Sequence, residues 1–191
     1  MSSPRPEAIV VGASAGALDA LSGILPALPR DYPLPVMIVV HLPADKDSLL
    51  TDLLRSICQI DVREAEDKEP IVGGTAFIAP PDYHLLVESD RRLSLSSEEP
   101  VNYSRPSIDV LFESAADAYG SGLIGVILTG ANDDGARGLR AVEKEGGMML
   151  VQRPELAYAS AMPRAALDAC PDARAMALEE IADYLVEVAY T

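Results

Sequence analysis

Residues 8–17 read Ala-Ile-Val-Val-Gly-Ala-Ser-Ala-Gly-Ala (AIVVGASAGA). The first four, Ala8–Val11, are apolar and mostly β-branched with no polar break, the pattern of a strand buried on both faces. Such a strand belongs to a parallel sheet covered by helices on each side. The run ends in Gly12-Ala13-Ser14-Ala15-Gly16. A helical pattern follows, with Leu18, Leu21, Leu25 and Leu28 on one stripe, closing at Pro29, Pro33 and Pro35.

Outward from this stretch the alternation repeats. Val36–Val40 (VMIVV) is a second buried strand ending at His41, and Leu49, Leu50, Leu53, Leu54 and Ile57 mark a second amphipathic helix. Residues 60–100 change character. Short strand-like pieces stand around Val62, Thr75–Ile78, Leu85–Val87 and Leu93–Leu95, and the last two read as a hairpin. Ser107 caps a predicted helix through Tyr119. Leu123–Leu128 (LIGVIL) is a third buried strand, followed by TGANDDGARG and a helix to about Glu145. Met148–Val151 is a fourth, and residues 177–190 carry Leu178, Ile181, Leu185 and Val188 on one stripe. The expectation is an α/β, three-layer fold: a doubly wound, mostly parallel sheet with helices on both faces and a small antiparallel hairpin. With no internal repeat or linker, residues 1–191 read as a single domain. In such a sheet the loops at the carboxyl ends of the strands carry the chemistry.

Composition removes several classes of function. The chain is 49% hydrophobic, which excludes intrinsic disorder. Its net charge of −15 leaves no basic face for nucleic acid and no attraction to an anionic membrane. Two cysteines, Cys58 and Cys170, and two histidines, His41 and His84, lack metal-ligand spacing, so neither a disulfide scaffold nor a metal site is expected. The acid pairs Asp45/Asp47 and Glu64/Glu66 read as solvated surface. No signal peptide or membrane-length apolar run is visible, and the expected location is cytoplasmic.

Three strand ends hold candidate chemistry. Gly12-Ala13-Ser14-Ala15-Gly16 is G-x-S-x-G between a strand and a helix, the setting of a nucleophile elbow. The helix start leaves the amides of Ala15 and Gly16 facing the site, where an oxyanion could form. Taken alone, the motif equally supports Ser14 as a helix N-cap. A dinucleotide loop is disfavoured. Its second glycine is Ser14 here, and the acid it wants after strand 2 is replaced by His41-Leu42-Pro43. His41 ends a strand beside the elbow and is the candidate base. His84, with Asp82 two residues before it, sits in the hairpin-like insert, farther from the sheet's crevice. After the third strand, Asp133 or Asp134 could orient an imidazole. Position alone does not choose between them, and both also suit a helix N-cap.

Several blocks together resemble the catalytic domain of the chemotaxis receptor methylesterases (CheB type, protein-glutamate methylesterase). They are VVGASAGALDAL, VVHLPADKDSLLTDLL, GGTAFIAPPDYHLLV, SRPSIDVLFESAADAYG, GLIGVILTGANDDGARGL and AMPRAAL (Ala161–Leu167), in order over nearly the whole chain. The resemblance implies a Ser-His-Asp triad of Ser14, His41 and Asp134. It selects Asp134 over Asp133 because the family's acid directly precedes the glycine of D-G-A. It also implies an oxyanion hole built from the backbone amides of Ala15 and Ala131, and no cofactor. The implied reaction is hydrolysis of glutamyl methyl esters on the cytoplasmic helices of methyl-accepting chemoreceptors, with deamidation of certain receptor glutamines. The sequence departs from the family pattern in places. Gly130-Ala131-Asn132 stands for G-M-G, HLP for HMP, Ala17 for the elbow's second glycine, and the usual N-terminal receiver domain has no counterpart in these residues. Those departures keep a second reading in view, a non-catalytic signalling module that binds a partner on the same fold.

Overall fold

The computed structural model describes residues 3–42 and 47–191, apart from the side chains of 47 and 48. Asp45 and the side chain of Asp47, read above as solvated, lie outside the described residues, as does Pro43. Among the described residues a seven-stranded sheet runs in the order β3-β4-β2-β1-β7-β8-β9, and a separate hairpin pairs β5 with β6. The strands are β1 (Ala8–Ala13), β2 (Val36–Val40), β3 (Asp61–Glu64), β4 (Thr75–Ile78), β5 (His84–Val87), β6 (Leu93–Ser96), β7 (Leu123–Ile127), β8 (Met148–Gln152) and β9 (Arg174–Met176). Every pairing in the large sheet is parallel, whereas the hairpin is antiparallel. The helices are α1 (Ala17–Ser22), α2 (Asp47–Ile57), α3 (Ile108–Tyr119), α4 (Ala136–Lys144), α5 (Ala161–Ala169) and α6 (Leu178–Ala189).

Side-chain alternation along β1 explains why its apolar run is unbroken. Ile9, Val11 and Ala13 enter one core with Leu21, Leu25, Leu54, Ile181 and Leu185; Ala8 and Val10 enter the other with Phe77, Ile108, Phe112 and Leu139. Each fully buried Val, Ile, Leu or Phe contributes about 1.5–3 kcal/mol, so both faces of the strand are held.

The helix after the elbow is shorter than its leucine stripe suggests. α1 ends at Ser22 with Gly23 as its cap, and the chain continues through a 3₁₀ turn, Leu25–Ala27. Pro26 inside that turn lacks the amide an α-helix would need. Leu21, Leu25 and Leu28 are buried, but Leu18 is exposed. A six-residue helix has little macrodipole, so the elbow's own amides, rather than a helix field, face the site. Along the apolar stripe of α2, Leu50 and Leu54 are buried, while Leu49, Leu53 and Ile57 stand in solvent.

Candidate active site

Strand order brings the three sequence-predicted loops together. β1 is central, with β2 on one side and β7 on the other. Ala13 pairs with Val40, so the next residues, Ser14 and His41, leave adjacent strands side by side. On the other flank the chain after β7 keeps pairing with β1: the Leu128 amide donates to Gly12 O (2.9 Å) and the Ser14 amide to Thr129 O (2.9 Å).

The elbow is tightly held. Gly16 has φ +86°, and a Cβ there would fall 2.7 Å from Tyr158 Cβ, so only glycine fits this close approach. Thr129 Oγ1 donates to Ala15 O (2.8 Å) and accepts from the Ala159 amide (2.9 Å), tying the elbow to the segment before α5. Gly130 lies against the nucleophile position. A Cβ there would meet Ser14 Oγ and Met162 Sδ, each at 2.6 Å. Among the described residues the amides of Ala15 and Gly16 have no hydrogen-bond acceptor. The Ala131 amide donates to Ser14 Oγ at 3.0 Å, and Ser14 is 6% exposed.

Of the two acids left open by position, the geometry brings Asp134 to the imidazole, with His41 Nε2 to Asp134 Oδ2 at 2.7 Å. Asp133 is exposed, and its carbonyl accepts from the Ala136 amide. Asp134 is fully buried and accepts four further hydrogen bonds. They come from Asn102 Nδ2 (2.8 Å), Ser107 Oγ (2.9 Å), and the amides of Ile108 (2.7 Å) and Asp109 (3.1 Å). Burial alone would raise this carboxyl; the bonds from His41, Ile108, Asn102 and Asp109 outweigh it and hold it below the usual carboxylate range.

That arrangement revises the expected role of Ser107. It is the N-cap of α3 in position, but its hydroxyl makes no capping bond. It donates to Asp134, and Asp134 itself takes the first two amides of the helix. An anion at a helix start is favoured by the unpaired N–H groups there. The relation is reciprocal. Asp109, in the first turn of α3, accepts the amides of Gly135 (3.0 Å) and Gly138 (2.6 Å) at the start of α4. Between the two acids stands Asn102, whose Nδ2 donates to Asp109 Oδ2 (2.7 Å) as well as to Asp134. Burial and the neighbouring Asp134 charge push the Asp109 carboxyl up, while Gly138, Asn102 and Arg137 draw it back. Sequence reasoning did not single out Asn102 or Asp109. Replacing Asn102 by alanine removes two charge-assisted bonds from buried carboxylates, a loss of about 2–3 kcal/mol. The expected fall in Tm is about 4–12 °C for a chain of this size, measured by calorimetry at neutral pH. An unchanged Tm would mean the bridge carries no weight.

His84 is placed away from the candidate base role. It is buried on β5, its Nε2 bonds to Glu99 O (2.9 Å), and its Nδ1 accepts the Ser107 amide (3.2 Å). It thus satisfies one more amide at the start of α3. Asp82 pairs with Arg105 instead (2.7 Å).

The predicted contact between Ser14 and His41 is not made. Among the described residues no hydrogen bond joins them. The His41 Nδ1 atom lies 3.3 Å from Asn132 Nδ2, while Ser14 Oγ is held by Ala131. Over the imidazole opens a cleft of about 340 Å³ lined by His41, Leu42, Tyr103, Ser104, Arg105 and Pro106. Tyr103 is fully exposed on a tight turn in which it and Asn102 both have left-handed backbones. A larger cavity of about 580 Å³, lined by Gly122, Gly147, Arg174 and Tyr184 among others, lies at the amino-terminal ends of β7 and β8, remote from this chemistry. Among the described residues no group of three or more His, Cys, Asp or Glu converges as a metal site.

The CheB methylesterase family profile matches residues 9–185. A Leptospira interrogans protein, provisionally named a protein-glutamate methylesterase/protein-glutamine glutaminase, is 47% identical over 182 residues, covering 95% of this chain and 94% of that one. An Archaeoglobus fulgidus protein-glutamate methylesterase/protein-glutamine glutaminase is 36% identical over 163 residues, 84% of this chain, and the chain spans 47% of its length. The crystal structure of the Thermotoga maritima CheB methylesterase catalytic domain superposes with a TM-score of 0.92 at 30% identity, covering 97% of this chain and all of that one.

Proposed function

The chain belongs to the CheB methylesterase family, and from that premise we propose that it is a serine hydrolase acting on chemoreceptors. It removes methyl esters from glutamyl side chains and deamidates receptor glutamines, through a triad of Ser14, His41 and Asp134. The observation that carries this reading is the 2.7 Å bond from His41 Nε2 to a buried carboxylate, at the end of the strand next to Ser14.

In this mechanism a carboxylate only accepts, so Asp134 keeps the ring proton of neutral His41 on Nε2 and leaves Nδ1 with the lone pair. Ser14 gives its proton to Nδ1 as Oγ bonds to the ester carbonyl carbon. Charge then develops on the carbonyl oxygen, which accepts hydrogen bonds from the amides of Ala15 and Ala131. One such donor is typically worth about 10²–10³ in kcat. The imidazolium returns its proton to the leaving oxygen and methanol departs. Water, activated by the same nitrogen, then cleaves the acyl-enzyme to the glutamate. With a glutamine substrate the leaving group is ammonia.

The cleft over His41 suits a glutamyl side chain presented by a receptor helix. Tyr103 at its rim and exposed Tyr158 beside the elbow offer aromatic surface to that helix. Among the described residues no helix is long and apolar enough to cross a membrane, and the proposed site of action is the cytoplasmic portion of the receptor.

The test is methanol release from a methylated receptor fragment, wild type against His41→Ala. Release by the wild type that falls by at least about 10³-fold in the variant supports the reading. A folded wild type that binds the fragment but releases no methanol or ammonia points to the non-catalytic module instead.

A further inference from the structure

We propose that Asn132 is a positioning residue that restrains the base: its side-chain amide occupies the His41 Nδ1 lone pair that Ser14 must reach. This rests on the reading of His41 as the base for Ser14.

The orientation of the Asn132 side chain is set by its other end. Its Oδ1 accepts the Asp134 amide at 3.0 Å, so the NH₂ group faces the imidazole, with Nδ2 3.3 Å from Nδ1. On the far side of the ring Asp134 already fixes the tautomer, accepting from Nε2 at 2.7 Å. Asn132 therefore only reinforces a tautomer that Asp134 has already set. What it does is hydrogen-bond the one atom able to take a proton. The residue before it, Ala131, donates to Ser14 Oγ at 3.0 Å. Two consecutive residues of one loop thus hold base and nucleophile on partners other than each other.

The contact also changes sign during the reaction. When the Ser14 proton moves to Nδ1, an N–H on the ring faces the N–H of the Asn132 amide, and the hydrogen bond is lost. An interaction present in the resting site and absent in the transition state slows the chemical step. Asn132 is solvent-exposed, so the amide can swing away, and the restraint amounts to one neutral hydrogen bond. Its release corresponds to roughly two- to tenfold in rate.

The experiment compares wild type with Asn132→Ser and Asn132→Ala in the full chain. Serine keeps an oxygen for the Asp134 amide but is too short to reach the ring. Two rates are read: inactivation by a fluorophosphonate that modifies Ser14, and kcat for methanol release. A third readout is the ¹⁵N spectrum of the imidazoles, in which only His41 and His84 contribute. The expected result is a two- to tenfold faster reaction in Asn132→Ser with little change in KM. The His41 Nδ1 resonance should shift toward that of a free lone pair while Nε2 keeps its proton. An active wild type with folded variants that are no faster overturns the restraint alone, as does an unmoved Nδ1 resonance. Inertness of wild type and variants alike toward both phosphonate and ester overturns the hydrolase reading, and the restraint with it.

Discussion

Ser14→Ala will lower methanol release from methylated receptor fragments by about three to six orders of magnitude, as loss of a covalent nucleophile does where the remaining groups act as a unit. The melting temperature should hardly move. Ser14 Oγ accepts one bond, from the amide of Ala131, and residue 131 is exposed, so water can replace the hydroxyl. The net cost is about 1 kcal/mol, or a few degrees at most. Mass spectrometry of the wild type trapped early in turnover should find the acyl group on the peptide containing Ser14. Methanol release unchanged in the variant would remove Ser14 from the chemistry and the hydrolase account with it.

Asp134→Asn should damage activity and stability together. The expected loss in kcat is about 10⁴-fold, because a carboxamide can donate to Nε2 and so support the wrong tautomer. If the new oxygen stays with Asn102, Ser107 and the Asp109 amide, the new NH₂ group faces the Ile108 amide, donor against donor. Breaking a buried, fully bonded charge of this kind costs about 3–5 kcal/mol, which lowers Tm by roughly 6–20 °C. The pH dependence follows from the direction of each shift. Asp134 is held below its unfolded value of about 3.9, so its stabilisation is complete above that pH and is lost as pH falls toward the folded value. Asp109 is shifted the other way and weakens the fold above its own raised value, an effect relieved on acidification. Urea denaturation from pH 7 down to 3 should therefore show a shallower acid limb in Asp134→Asn than in the wild type. Identical limbs would mean that Asp134 is not the carboxylate titrating there.

Much of this architecture is legible in single residues. The runs at Ala8–Val11, Val36–Val40 and Leu123–Leu128 are unbroken because their strands meet core on both faces, and that makes them readable without a partner strand. Ser14 and His41 stand at the ends of such runs, so their nearness follows from strand order. Other features depend on contacts between distant segments and leave no periodic trace. β9 is three residues long. α5 carries Pro163 in its first turn and so little apolar pattern that only the resemblance block marks its place. Position alone does not separate Asp134 from Asp133, since both are acids before a helix; the resemblance selects Asp134, and its 2.7 Å distance to His41 agrees. Asn102 and Asp109 are ordinary polar residues in sequence. Their weight appears only when the starts of α3 and α4 come together with two carboxylates between them. Asn132 stands out in sequence only as a departure from the family's G-M-G, and its bond to His41 appears only in the structure.

The place of β1 between β2 and β7 bears on the order in which the chain acquires competence. Strands β1 and β2 lie close in sequence, but β1 meets β7 only after more than a hundred intervening residues have been gathered, and the start of α3 must then be docked to receive Asp134. Closing so long a loop is slow relative to local pairing. During refolding from denaturant, catalytic competence should lag behind the collapse and helix formation seen by circular dichroism, making turnover a clock for the final long-range closure.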